Sequence, residues 1–580
     1  MPRRCLKQIY SYFFDDTERE PIMNIRRMET DILIIGGGSA GCMAAIRANE
    51  LSPQTEISIW EKGDFKYSGS IARGMDALNI VCLPNLTDPD LYLEAINISC
   101  KGVVDAKPSY VMAERSYALL KKLERWGIRF IKGKDGNYRT LQYHVKGRFQ
   151  TAMDEPDLKL ILARKVVDAG VNIVNRVMSI GILKDGHRIA GSVGLNTRTG
   201  ELIVCKAKSV LLCSGGQARF NLPNSGYLYG TFDYPGNSGD GYITGLDAGA
   251  KLTGMEYCSV ANLIKDASMP LLAITVTRGG RVMDCFENVI MEGAVTGVSE
   301  MNRAANEGRG PLRIRLKHLP EETIQEIENI LFTCERPVQE RFFENRHIDF
   351  REHDIELWPT EVQLCGGHGM SGIRVDERAW TGVPGLYAAG DVACVPKQHL
   401  SGAFVFGEVA AENALAYVQS CDDVALDEDA VNAFEAKRDA RLETSDKNID
   451  IKEFEYKVRR LIGDYLPSPK NEYKLNRWFE WSDVFKEELE NDIKITDGHD
   501  LARLYEAEHI IRCADCSAAA ALTREESRWG DAHFRSDFPK TDDERWLKHV
   551  LVHMDGRHQN VVTSTAPVIG MDDKEDIHEN

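Results

Sequence analysis

Apolar residues along this chain gather in short, strand-length runs that end in glycine. "TDILIIGGGSAGCMAAIRANE" at 30–50 passes from an apolar run through three glycines into a stretch of small residues with helical character. "TEISIWEKG" at 55–63, "SVLLCSGG" at 209–216 and "GLYAAGDVACV" at 385–395 repeat the strand-then-glycine pattern. Strands alternating with helices predict an α/β chain with a parallel sheet. Toward the C-terminus the pattern turns helical, as in "ARLYEAEHIIRCADCSAAAALTREESRW" at 502–529. No run approaches the roughly 18 apolar residues that span a bilayer.

A chain of 580 residues exceeds one compact core, so two to four domains are expected. A net charge of −18 argues against nucleic acid or an anionic membrane as the main partner. It suits a protein whose substrate or docking partner meets a local basic pocket. The N-terminal "PRR" runs into polar "DDTERE" without the apolar stretch of an export signal, so residues 1–27 read as an extension. The fourteen cysteines are scattered singly apart from "CADC" at 513–516, which predicts reduced thiols and a cytoplasmic location.

The spacing Gly36-x-Gly38-x-x-Gly41 after a strand is a dinucleotide signature. The first glycine allows a tight turn, the second lets a pyrophosphate approach the backbone, and the third lets helix and strand pack closely. The helix N-terminus then faces the phosphate charge. Glu61, at the end of the second strand, is placed to accept hydrogen bonds from a ribose. This unit alone does not separate NAD from FAD. A glycine-rich structural turn, the plainer reading, leaves Glu61 unexplained.

Downstream, "GLYAAG" followed by Asp391 is similar to the return strand of two-dinucleotide-type flavoproteins, where the acid bonds the ribityl chain. "YSGSIARGMDALN" (67–79), "LLCSGG" (211–216), "NSGDG" (237–241), "NRAANEGRGPL" (302–312) and "REESRWGDAHFRSDFPKTDDERWLKH" (524–549) follow in order. With them the chain, from about residue 28, resembles the fumarate reductase/succinate dehydrogenase flavoprotein superfamily. "GRFQ" (147–150), "MEYCSVANLIKDASMP" (255–270) and "HLSGAF" (399–404) look most like the adenylylsulfate reductase alpha-subunit branch.

The resemblance implies a two-dinucleotide-type, Rossmann-like FAD-binding domain built from residues 28–220 and 350–430. It implies an inserted α+β capping domain at 221–349 and a helical C-terminal domain at 431–580. Cofactor contacts are expected from Gly36, Gly38, Ser39, Ala40, Gly41, Glu61 and Lys62. Further contacts are expected from Ser68, Gly69, Ser70 and Gly74, from Ser214, Gly215 and Asp240, and from Asp391, Ser401, Gly402 and Ala403. Where respiratory relatives attach flavin to a histidine, this chain reads Ser68-Gly69-Ser70, so non-covalent FAD is expected.

For the substrate shell the resemblance points to Arg278, His399 and His368. Arg278, in "VTRGGRVMD", matches an arginine that binds the substrate anion and relays a proton in the family. An arginine on the rim of the capping domain is the competing reading. His399 opens "HLSGAF", and a satisfied loop histidine is its plainer reading. The family's "Phe-x-His-Pro" histidine falls at Ala261, and its second arginine is missing from "HLSGAF". Fumarate and succinate are therefore expected to be poor substrates, unless a cap residue such as Lys265 or Arg281 compensates.

Cys513 and Cys516 share one helix face, and buried packing thiols are a plainer account than a disulfide or a metal site. No metal is expected on this chain. The expectation is an FAD-dependent oxidoreductase acting on a small anionic substrate and exchanging electrons with a separate iron–sulfur or ferredoxin-like protein. The alternatives are a fumarate reductase or succinate dehydrogenase subunit, an oxidase like L-aspartate oxidase, and a flavin-binding scaffold without chemistry.

Overall fold

The computed structural model describes residues 25–222, 233–265, 267, 269–295, 298–335, 338–443, 447–556 and 560–573. Its central sheet has five parallel strands in the order Asn172–Asn175, Ile57–Glu61, Ile25–Ile35, Leu202–Leu212 and Leu386–Ala388. Strand Arg188–Asn196 continues the sheet antiparallel to Leu202–Leu212, and Val177–Asp185 pairs with it in turn. The inner strands run as near-continuous apolar sequence because helices cover them, as "ILII" at 32–35 and "VLL" at 210–212 show. The carboxyl ends of the parallel strands form one edge, where ligands of open α/β sheets bind.

Strand Ile25–Ile35 begins before Met28, and Ile25, Arg26 and Arg27 pair with Leu202, Ile203 and Val204. Residues 25–27 thus belong to the sheet, which corrects the expected extension at that end. The rest of the expected extension lies outside the described residues.

The cap is a separate core. Its antiparallel sheet runs Ser259–Ile264, Ile355–Gln363, Leu312–Arg315, Arg281–Met283, Val289–Glu292. A second hydrophobic cluster from Ile264 to Leu357 fills it, with Phe343 and Phe350 packed edge to face at 4.9 Å. Strand Ile355–Gln363 closes this sheet, so the cap extends past the expected boundary at residue 349.

Four long helices, Glu428–Leu442, Ile451–Tyr465, Glu472–Asn491 and Gly498–Thr523, make up the helical part of the C-terminal region. The chain then adds a hairpin, Lys548–Met554 and Val561–Pro567, which joins Leu252–Thr253 and Gly372–Arg374 in one sheet. Cys513 and Cys516 are fully buried on helix Gly498–Thr523, with Cys513 against the Gly239 carbonyl at 3.8 Å. No described helix is long and apolar enough to cross a membrane.

Candidate active site

The glycine turn divides its labour as spacing predicts. Gly36 has φ of +103°, and a Cβ there would lie 2.4 Å from the Cys213 carbonyl oxygen. A Cβ on Gly41 would lie 2.0 Å from the Gly36 carbonyl oxygen, so Gly41 serves helix–strand packing. Gly38 alone faces open space, with nothing within 4 Å of an added Cβ. That space belongs to a cavity lined by Gly36, Ser39, Ala40, Glu61, Lys62 and Gly69. Ser70, Ser214, Gly215, Asp240, Asp391 and Ala403 complete its walls from the other strand ends.

Several side chains in this cradle are already committed. Glu61 accepts from the backbone of Gly37 at 2.9 Å and Gly63 at 2.7 Å, which orients its carboxylate. Lys62 donates to Asp240 at 2.7 Å and pairs with Glu506 at 2.6 Å. His509 reaches the other oxygen of Asp240 at 2.9 Å. Burial opposes the Asp240 charge, but Lys62 and His509 hold its carboxyl well below the usual range. Lys62 and Asp240 therefore brace the wall of the cavity; their charges neutralise each other. Ser401 is also spent, its hydroxyl accepting from Ile80 N at 3.0 Å, and Gly402 packs on Gln398. Only Ala403 of that trio lines the cavity.

The hydroxyl oxygens of Ser68 and Ser214 are buried and have no hydrogen-bond partner among the described residues, and of the two Ser214 lines the cavity. Leaving such a group unpaired costs about 1–3 kcal/mol. A ligand rich in phosphate and ribose hydroxyls would satisfy Ser214, and the open face at Gly38 admits it. The residues present fit a flavin dinucleotide.

A second cavity continues past Asp391 and Gly74 to Asp76, Asn79, Tyr143, His368 and His399. Burial pushes the Asp391 carboxyl up to about 6, with His368 pulling it back and Asp233 adding to the rise. His399 is 5% exposed and takes φ of +49°, a left-handed conformation uncommon for a residue with a side chain. Its backbone N–H donates to Gly367 O at 3.2 Å, and its Nδ1 lies 3.2 Å from His368 Nδ1. The two expected histidines thus meet. His399 Nε2 is buried without a partner among the described residues. Burial first, then the neighbouring His368, His144 and Lys397, hold the His399 imidazole neutral, well below its ordinary pKa.

Beyond the histidines opens a third cavity of about 500 Å³ between the FAD domain and the cap. Arg278 lines none of the three. Its Nε donates to Glu326 at 2.7 Å and its Nη1 to Ile274 O at 3.0 Å, one layer behind the cavity wall. Two of its nitrogens are thus held by the cap, while its buried Nη2 has no partner among the described residues. The sequence reading also passed over Lys397, a half-buried cation whose Nζ donates to Tyr257 Oη and His368 O, both at 2.8 Å. Burial works against its charge, but Tyr257, Cys100 and Tyr143 together more than offset this, and the pKa stands above its ordinary value. Tyr143, His144 and Asp76 were missed as well. The signal was there in the run "KQHLSGAF", where a lysine sits two residues before the histidine.

A glycine cradle at the strand ends, a buried acid beyond it and a capped polar cavity define a dinucleotide-dependent redox protein. The FAD binding domain family matches residues 31–403, and the fumarate reductase flavoprotein C-terminal family matches residues 458–573. An FAD-dependent oxidoreductase of Methanocaldococcus jannaschii is 25% identical over 562 residues, covering 90% of this chain and 96% of the relative. The adenylylsulfate reductase alpha subunit of Megalodesulfovibrio gigas is 24% identical, covering 91% and 93%. Adenylylsulfate reductase of Archaeoglobus fulgidus shares the fold with a TM-score of 0.85 at 24% identity, covering 94% of this chain and 96% of that one. For quinol fumarate reductase of E. coli the TM-score is 0.78 at 18% identity, covering 94% and 97%. The chain belongs to the FAD-binding flavoprotein family of fumarate reductases and adenylylsulfate reductases, and it is an FAD-dependent oxidoreductase.

The raised pKa of Asp391 has a sign that can be checked. Its folded value near 6 exceeds the unfolded value of about 3.9, so the folded state binds the proton more tightly. Stability from this group is full below about pH 4 and is lost as pH rises through about 6, by up to about 3 kcal/mol. In flavin-free protein, Asp391→Asn should raise the thermal midpoint at pH 7, and the advantage should shrink as pH falls from 6 to 4. A midpoint difference that does not change with pH would contradict the shift.

Proposed function

We propose that this chain is the flavin subunit of an enzyme that oxidises or reduces a small anion held between the FAD domain and the cap. The observation that carries this reading is Lys397, a half-buried cation on the wall shared with His368 and His399. Two of its protons are fixed on Tyr257 and His368, which leaves one for an anionic group of the substrate. Ser214, the glycine face at Gly38, Glu61 and Asp391 would hold FAD, which supplies the two-electron chemistry when bound. His399, neutral and with Nε2 unpaired among the described residues, can hand over or take a proton at the junction of the second and third cavities. Asp76 lines the second cavity, and burial raises its carboxyl pKa against the pull of Arg278. It is the group suited to hold the proton there, with Arg278 tuning it from behind.

Electrons pass to or from a separate iron–sulfur protein in this reading. The support is that the M. gigas relative and the fumarate reductase (CoM/CoB) relative of Methanothermobacter marburgensis are each named as one subunit of an enzyme.

The cofactor is held without a covalent bond in this proposal, because segment 68–70 presents serine and glycine where the family's attaching histidine falls. Acid precipitation of the yellow protein should leave free FAD in the supernatant. Flavin that stays on the precipitated chain would refute this.

Lys397→Gln in the FAD-loaded protein should weaken the binding of simple carboxylates, followed by flavin difference absorbance, by about tenfold or more. Unchanged affinity would remove the basis for the anion site.

Fumarate and succinate should turn over at less than about 1 per second in dye-linked assays, below the ordinary range of enzymes. The two residues that could have compensated are engaged elsewhere: Lys265 pairs with Glu356 at 2.8 Å and Arg281 with Glu292 at 2.9 Å. Turnover of either dicarboxylate in the ordinary range would overturn this expectation.

A further inference from the structure

The wider cavity has two unlike sides. Its floor, from the FAD domain, brings Lys397, His368 and His399 with Tyr143, and Lys101 stands exposed on the same side. Its roof, from the cap, brings Asn262, Gln363 and Asn302, with no arginine among the lining residues. The cap is not short of arginines, but four of them face its own carboxylates, and the buried Arg278 Nη2 is left without a partner among the described residues. Arg278 pairs with Glu326, Arg281 with Glu292, Arg309 with Asp284, and Arg315 with Asp354.

The roof carboxamides are buried but not satisfied. Asn262 is 6% exposed and its Nδ2 donates to Asn302 Oδ1 at 2.9 Å, while its own Oδ1 has no partner among the described residues. Gln363 is 2% exposed, and its Oε1 likewise has no partner among them. Strand pairing sets Gln363 opposite Ser259 and Asn262 opposite Pro359, so the two groups come from adjacent cap strands and line one cavity. Asp531, from the C-terminal region, lines the same cavity with a buried oxygen that has no partner among the described residues. At the roof a second carboxylate on the ligand would meet neutral amides, with no cation among the roof's lining residues; the cavity's other lysine, Lys101, is exposed and comes from the FAD-domain side. A donor such as an amide N–H or a hydroxyl would satisfy the same oxygens. At about 500 Å³ the cavity falls within the roughly 300–1,000 Å³ of small-molecule pockets, so it has room beyond the anion.

We infer that the substrate is a monoanion with a neutral hydrogen-bonding group at its other end, a carboxamide or hydroxyl. Its anionic group meets Lys397 on the floor, and its neutral group meets Asn262, Gln363 and Asn302 on the roof. This rests on the anion-site reading of Lys397 given above. The cap then selects by the cost of burying an unpaired charge, which separates ligands that differ only in that group.

The test titrates the FAD-loaded protein with matched pairs, fumarate against fumaramate and succinate against succinamate, following flavin absorbance. The monoamide of each pair should bind about tenfold tighter or more, the effect of satisfying one buried polar group. Equal or tighter binding of the dicarboxylates, or no binding of either monoamide, overturns the inference. Gln363→Arg, which puts a guanidinium on the roof, should reverse the preference toward the dicarboxylates. An unchanged preference in a variant that retains FAD counts against it. Lys397→Gln separates the two proposals. If it weakens both members of a pair while wild type does not favour the monoamide, the anion site stands and only the roof assignment fails. If it weakens neither, the anion site fails first.

Discussion

The structure depends on how closely two remote segments of backbone can approach. Helix Ser39–Leu51 follows the glycine turn, and helix His399–Ser420 arrives after the whole cap has been inserted. They meet where Gly407 faces the Ala40 carbonyl, and a Cβ on Gly407 would lie 2.5 Å from that oxygen. Gly41 makes a matching approach to the Gly36 carbonyl. Without side chains at these points, the two segments form one wall. Ala40 and Ala403 then line the same cavity, and His399 lines the next one, which Ala403 also borders. Each later feature of the site uses that wall as its reference.

Charge is managed differently on the two sides of the site. On the FAD side a few charges are half-buried with specific partners, Lys62 with Asp240 and Glu506, and Lys397 with a phenol and a carbonyl. Burying a charge is tolerated only when its hydrogen bonds are met, and these geometries meet them. On the cap, guanidiniums face carboxylates of the cap itself, and what is left for the cavity is neutral amide. The cap can hold its shape without a ligand because its own charges are balanced internally.

Much of the fold could be read from the sequence. The glycine turn, Glu61 and Asp391 lie where strand periodicity puts strand ends, and close backbone contact is a demand that only glycine answers, so it leaves a legible mark. Ser401 and Gly402 turn toward Ile80 and Gln398 while their neighbour Ala403 faces the cavity, a difference of helix phase that a short motif does not carry. Arg278 adds a second limit: how an arginine divides its nitrogens depends here on a partner 48 residues away, Glu326. Lys397 and Asp76 were illegible because lysine and aspartate are ordinarily surface residues, and only the folded chain brings them to the cavity walls. The start of the first strand at Ile25 was missed because "IRRMET" alternates weakly, and its pairing with Leu202–Val204 supplies what the local pattern lacks.

Helix Gly498–Thr523 reaches across the molecule to the mouth of the cofactor cradle. Glu506 holds Lys62, His509 holds Asp240, and Arg219 joins Glu506 at 2.5 Å. On a ribosome, the glycine turn emerges some 470 residues of synthesis before these partners, since 506 − 36 = 470. Until they emerge, Lys62 and Asp240 have each other, Ser238 and the Gly236 carbonyl, but not the outer members of the network. The last brace of the cradle wall is therefore a late product of the chain's own synthesis.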